Sequence, residues 1–251
     1  MSFEHVVVIV GGCGRAGLPL GLAFANRGLD TVVQDINPVA VAAVQSLAMP
    51  FHAPGATQVL QRVVAAGTFA ATADPSVVGT GEHVIIVIGT AVDELHDPDP
   101  DTLVRLVHDL APNLVDGQHL VIRSTVFPGT TALVERAISE LGLAIDVSFC
   151  PERIAESKAM TELYELPQLV SARTDAGLDR AEKLFRSLTE TVIRLSPEEA
   201  ELAKLFTNAW RYITFGAANQ FFLMADRRGL SYERIRSALS EGCLLYTSRC
   251  V

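Results

Sequence analysis

Three glycines and one acid set the first chemical expectation. Gly12, Gly14 and Gly17 stand in GxGxxG spacing after an apolar run, His5–Val10, and Asp35 closes the next apolar run, 18 residues past Gly17. In this pattern the first glycine makes a tight turn, the second lets the backbone approach a pyrophosphate, and the third lets helix and strand pack closely. Arg15 and Ala16 open the helix whose unpaired N–H groups and positive dipole end face the phosphates. An acid at Asp35 suits a ribose hydroxyl pair. The following Ile36-Asn37 brings no arginine for a 2′-phosphate, so the expected cofactor is NAD rather than NADP. Cysteines at 13, 150, 243 and 250 show no CxxC spacing, and His52, His83, His96, His108 and His119 form no ligand pattern, so no metal is expected. Cys13 reads as a small filler and Cys150 as packing; all four cysteines fit reduced thiols of a cytoplasmic protein.

These residues need a scaffold that alternates strands and helices. Strands are expected at 5–10, 31–34, 69–71, 83–87, 119–122 and 144–148, with helical patterns at 15–27, 39–46, 57–66, 101–110 and 130–141 between them. Apolar strands separated by helices argue for βαβ units, a parallel sheet with helices on both faces. Beyond Pro151 a helix is expected over 175–187 and a strand over 191–195. Ser196-Pro197-Glu198-Glu199 then reads as an N-cap, a proline at the first helical position and a capping box. The helix it starts runs to about Arg227, roughly 45 Å at 1.5 Å per residue. Its face of Leu202, Phe206, Ala209, Ile213, Gly216, Ala217, Gln220 and Met224 suits either a core helix or one that packs on a second chain.

Composition narrows the partners. With 49% hydrophobic and 20% charged residues, the chain of 251 residues can bury a large core. A net charge of -9 argues against a nucleic-acid binder, which needs a basic surface. No apolar run approaches the ~20 residues of a membrane span, and the N-terminus has no signal-peptide pattern.

Several segments resemble one family, the UDP-glucose/GDP-mannose dehydrogenases (nucleotide-sugar 6-dehydrogenases). They are Asp35-Ile36-Asn37-Pro38, Met49-Pro50-Phe51, Ile88-Gly89-Thr90, Arg123-Ser124-Thr125-Val126-Phe127-Pro128-Gly129-Thr130-Thr131, Cys150-Pro151-Glu152-Arg153-Ile154-Ala155-Glu156 and Glu201-Leu202-Ala203-Lys204-Leu205-Phe206-Thr207-Asn208. Cys-Pro-Glu-Arg followed by Leu163…Glu165-Leu166-Pro167-Gln168 is most similar to the UDP-N-acetylmannosamine dehydrogenase branch. The resemblance implies an α/β fold: a Rossmann-like NAD-binding domain over 1–195, then an α-helical dimerisation domain with a long central helix over 196–242. It implies a nucleotide-sugar substrate, a homodimer and a place in polysaccharide precursor synthesis. The implied reaction takes a primary alcohol to the aldehyde and then to the carboxylate with two NAD+, through a cysteine thioester that water hydrolyses.

By the same resemblance, Glu152 matches the general base and Glu156 the second acid of its motif. Lys204 and Asn208 match the pair that stabilises an oxyanion; their i, i+4 spacing puts them on one helix face. Thr125 matches the threonine that orients water near the nicotinamide, and Thr90 a residue lining the cofactor cleft. Read without the family, Glu152 and Glu156 equally fit the solvated first turn of a helix, and Lys204 a helix edge. Ala91 stands where the family usually has proline, and Ser157 where glycine is common. Residues 243–251 match none of the family's glycine-rich cysteine motif, so they read as a non-native tail of a truncated chain, one that binds NAD but is incomplete for turnover. A β-hydroxyacid dehydrogenase shares the glycine motif and the Lys-x-x-x-Asn helix, but has Ser-Gly-Gly where Cys150-Pro151-Glu152 stands. A non-catalytic NAD-binding or dimerisation module is the third possibility.

Overall fold

Runs that are apolar at every position, such as Val7–Val10, are stable only in a sheet covered on both faces. The computed structural model describes residues 3–89, 99, 101–155 and 158–241 and shows such a sheet. Thr90, Ala91, Glu156, Ser157, Cys243 and Cys250 lie outside the described residues. The strands are β1 (His5–Val10), β2 (Thr31–Gln34), β3 (Phe69–Thr72), β4 (Gly81–Ile86), β5 (His119–Ile122), β6 (Asp146–Phe149), β7 (Gln168–Ala172) and β8 (Val192–Leu195), in the order β3-β2-β1-β4-β5-β6-β7-β8. All neighbours are parallel except β6 and β7, which pair antiparallel through Ser148 and Ala172.

The helices are α1 (Gly17–Asn26), α2 (Pro38–Gln45), α3 (Ala56–Ala65), α4 (Asp101–Leu110), α5 (Thr130–Glu140), α6 (Ala159–Glu165), α7 (Asp175–Arg186), α8 (Pro197–Asp226) and α9 (Tyr232–Ser240). Alternate side chains of each strand feed two core layers. Val7 and Ile9 pack with Leu20, Phe24, Leu60 and Phe185 on one face; Val8 and Val10 pack with Val107, Val134 and Ile138 on the other. Strand order reverses direction at β1, so the loops after β1 and β4 leave a crevice at their carboxyl ends.

Among the elements that depart from the sequence expectation, two lie beside the site. β7 and α6 follow the Cys-Pro-Glu-Arg segment, where no regular structure was expected, and β7 makes the sheet mixed rather than purely parallel. The capping box at the start of α8 forms as expected: Glu199 N–H donates to Ser196 Oγ, and Ser196 N–H to Glu199 Oε2.

The chain divides into two compact units, Met1–Lys204 and Leu205–Val251, with the division inside α8. The first holds the sheet. In the second, the rest of α8 turns into α9, where Phe222 and Tyr232 stack edge to face at 5.9 Å. Trp210, Tyr212, Ile213 and Phe215 of this unit are largely exposed.

Candidate active site

The glycine loop after β1 is built by close approach. A Cβ on Gly12 would lie 2.6 Å from Val33 Cβ, and one on Gly17 would lie 2.7 Å from Gly11 O. A Cβ on Gly14 would meet nothing nearer than 3.5 Å, so the loop is open there. Gly11, to which the motif assigns nothing, has φ +74, and a Cβ on it would lie 2.3 Å from Val87 O; only glycine fits this conformation and this contact. The Cys13 N–H donates to Asp35 Oδ2 at 2.9 Å and the Asn37 N–H to Oδ1 at 3.0 Å. Each carboxylate oxygen keeps a lone pair for a ribose hydroxyl. α1 has no side-chain cap at its N-terminus. Tight packing at Gly12 and Gly17, open space at Gly14 and an oriented carboxylate together fit a dinucleotide. Arg15 lies over the Phe51 ring, 5.7 Å from its centre.

A cavity of about 320 Å³ in the first unit joins this loop to the ends of β4 and β5. It brings Arg15 and Ala16 together with Thr125, Glu152 and Lys204. Ser124 Oγ accepts from the Ile88 N–H at 2.8 Å and ties the two strand ends together. Gly12, Gly14, Gly17 and Asp35 form the adjoining loop and its partner. Thr90 and Glu156 fall outside the described residues. Asn208 lies in the second unit, where it is exposed.

Glu152 is not the solvated first turn of a helix. It sits in a loop, and its carboxylate is saturated. Arg123 donates from Nε at 3.0 Å and from Nη2 at 2.6 Å to Oε2, while the Arg153 and Ile154 N–H groups donate to Oε1 at 2.7 and 2.9 Å. A carboxylate offers about four lone-pair directions, and all four are used. The Arg123 side chain is fully buried, stacks on Phe185 at 4.8 Å, and also donates to Cys150 O and Gln168 Oε1. Lys204 reaches the same loop by another atom: its ammonium donates to the backbone carbonyl of Glu152.

A second buried carboxylate holds α8. Glu201 is 1% exposed. Its Oε2 accepts from the Gly129 N–H at 2.7 Å; its Oε1 accepts from the Thr131 N–H at 2.8 Å and the Thr131 hydroxyl at 2.6 Å. Arg123, Gln168 and Glu201 were given no role from the sequence. The available signals were an arginine ending an apolar strand and an acid one turn before Lys204.

Both described thiols are buried. Burial pushes Cys13 up to about 12, helped by the nearby Asp35 charge, and burial does the same for Cys150 against the opposing pull of Arg123. Among the described residues, no three His, Cys, Asp or Glu side chains are grouped to hold a metal ion, and no helix is long and apolar enough to cross a membrane.

Residues 5–189 match the NAD-binding domain of the UDP-glucose/GDP-mannose dehydrogenase family. The chain is 29% identical over 238 residues to a UDP-N-acetyl-D-mannosamine dehydrogenase of Pyrococcus horikoshii, covering 92% of this chain and 57% of that one. It is 26% identical over 252 residues to the Escherichia coli K12 enzyme of the same name, covering 95% and 59%. The solved structure of the P. horikoshii UDP-D-ManNAc dehydrogenase superposes with a TM-score of 0.85 at 26% identity, covering 94% of this chain and 57% of that one. A GDP-mannose dehydrogenase structure from Pseudomonas aeruginosa, at 22% identity and a TM-score of 0.85 over 94% and 56%, shares the fold. The chain thus spans under three-fifths of the length of these relatives.

Proposed function

The chain belongs to the UDP-glucose/GDP-mannose dehydrogenase family, and from that premise we propose that the whole protein oxidises the 6-hydroxyl of a nucleotide sugar to the uronate. The sugar nucleotide is UDP-N-acetylmannosamine, the substrate named for the curated relatives, and the product serves polysaccharide precursor synthesis. The observation that carries this reading is the cavity that joins the glycine loop to Thr125, Glu152 and Lys204. NAD, when bound, supplies the hydride acceptor.

This chain's own residues divide the remaining work. Gly12 and Gly17 hold the loop against the sheet, Gly14 leaves room for the pyrophosphate, Arg15 and Ala16 flank it, and Asp35 holds the ribose. The Thr125 hydroxyl orients water at the inner end of the cleft. The Lys204 ammonium lends positive charge to a developing oxyanion, with Asn208 as its helical companion. Glu152 takes the proton of the hydrolytic water once one of its four donors lets go. Glu156 and Thr90 keep the roles that the family resemblance implies. The exposed aromatic surface of the second unit pairs with a second copy of the chain, forming a homodimer. Among the described residues, the two thiols are buried and unpaired, which suits a cytoplasmic setting.

Titration of the 251-residue chain with NADH, followed by the fluorescence of the reduced nicotinamide, tests the cofactor site. Saturable binding competed by NAD supports it, and no binding overturns it. With UDP-N-acetylmannosamine and NAD this chain forms no uronate, because the thioester step needs an accessible thiolate and both described thiols are buried; uronate formation overturns that part.

A further inference from the structure

Gly129 caps α5 with φ +93 and no side chain, so this helix has no side-chain cap of its own at the residue before it. The N–H groups of Gly129 and Thr131 are satisfied instead by one carboxylate, 70 residues beyond Thr131. A buried carboxylate is costly unless donors replace its water, and a helix N-terminus offers both donors and a favourable dipole. Glu201 takes three hydrogen bonds there. Such bonds are directional, so they fix the rotation of α8 about its own axis as well as its position. Ala200, buried in the core, sets only the depth of the helix, and the Arg173–Glu198 pair is at the surface.

Lys204 follows Glu201 by three residues, nearly one helical turn, and so projects from the same side. There it meets the Glu152 carbonyl at the wall of the cleft. The loop that Glu201 grips also carries Thr125, four residues before Gly129. We propose that Glu201 is a positioning residue: it locks α8 onto the N-terminus of α5 so that Lys204 and Thr125 face one another across the cleft. The functional weight of this rests on the reading of Lys204 as a group that faces the reacting sugar.

The sequence gives a direct readout, because Lys158, Lys183 and Lys204 are its only lysines. Limited acylation of the 251-residue chain with acetic anhydride, read peptide by peptide, reports Lys204 against Lys183 as an internal reference. In Glu201→Gln one amide N–H group faces the α5 donors, and the Lys204-to-Lys183 ratio rises about tenfold, the factor for one charged hydrogen bond. Thr131→Val removes one of the three bonds and raises it about threefold. NADH affinity stays at the wild-type value in both. A wild-type ratio in both folded variants overturns the proposal. Should Glu201→Gln not fold, Thr131→Val and Thr131→Ser decide alone: the valine variant must raise the ratio and the serine variant restore it. Failure of the wild-type chain to bind NADH counts against the cofactor reading, whereas the lysine ratio alone decides the role of Glu201.

Discussion

Lys204 and Glu152 meet through a backbone carbonyl, while the Glu152 carboxylate is taken up by the buried guanidinium of Arg123. The acid that the motif offers as a base is therefore also the counter-charge of a buried cation. Removing it leaves Arg123 uncompensated. Glu152→Gln lowers the unfolding free energy by about 3 kcal/mol, the usual cost of breaking a buried ion pair from one side. Arg123→Leu costs a similar amount, and the double variant costs less than the sum of the two. Urea denaturation in a double-mutant cycle measures the coupling, and strict additivity would contradict the pairing.

Acid sensitivity has a separate source in the sheet. His83 Nδ1 and His119 Nδ1 lie 2.9 Å apart, and His119 Nε2 lies 2.8 Å from Ser148 Oγ. Ser148 donates on to Gly177 O, so His119 Nε2 donates to Ser148 and His83 Nδ1 donates to His119. Any added proton goes to His83 Nε2, which faces Glu82. Burial, with Arg180 and Lys183 nearby, lowers His83 from 6.5 to about 4, and burial with His83 and Arg180 lowers His119 well below its ordinary value. The unfolded chain thus binds protons that the folded chain refuses. Their contribution is complete above pH 6.5 and drains away as pH falls towards 4, about 3 kcal/mol for His83 alone. The urea midpoint of His83→Leu should fall less than that of the wild type over this window; parallel curves would refute the assignment.

The cofactor site makes a prediction about strength. Asp35 is held by Cys13 N–H and Asn37 N–H, so its orientation is set before any ribose arrives. Asp35→Ala weakens NADH binding between about tenfold and a hundredfold, the range for a hydrogen bond to a charged group. Gly14→Ala adds a methyl group where the loop is open and leaves thermal stability close to wild type while lowering affinity. Gly12→Ala collides with Val33 and lowers both. Calorimetric titration paired with thermal melts separates the two effects.

Thiol chemistry should report the core. With Cys13 and Cys150 raised to about 12, only about one thiol in ten thousand is ionised at pH 8, and both sites are shielded. Alkylation of these two residues by iodoacetamide, followed on their own peptides, is slow in the native chain and fast in urea. Rapid native labelling at Cys150 would mean that the β6 end is not packed as described.

The exposed aromatic side chains of the second unit predict association. Trp210, Tyr212, Ile213 and Phe215 are each more than half exposed, an apolar surface of the kind that marks an interface. Light scattering at micromolar concentration gives a dimer, and Trp210→Glu with Phe215→Glu gives a monomer. A monomeric wild type excludes the partner copy.

Local pattern and tertiary contact each determined a distinct part of this protein. β1, β2, β5 and α4 have the bounds that periodicity predicts, because alternation and helical spacing are properties of neighbouring residues. The glycine loop, Asp35 and the capping box of α8 were legible for the same reason: each motif is completed within a few residues or by one strand pairing. β7 was not legible, since its five residues are buried throughout and carry no period that separates strand from loop. The side-chain hydrogen-bond partners of Arg123, Glu201 and His83 lie 27 to 72 residues away. No spacing rule reaches that far. Sequence alone marked the glycine loop and the residues that carry charge. Only the tertiary structure decided which charges neutralise each other, because a buried ion survives only where the fold brings a partner to it.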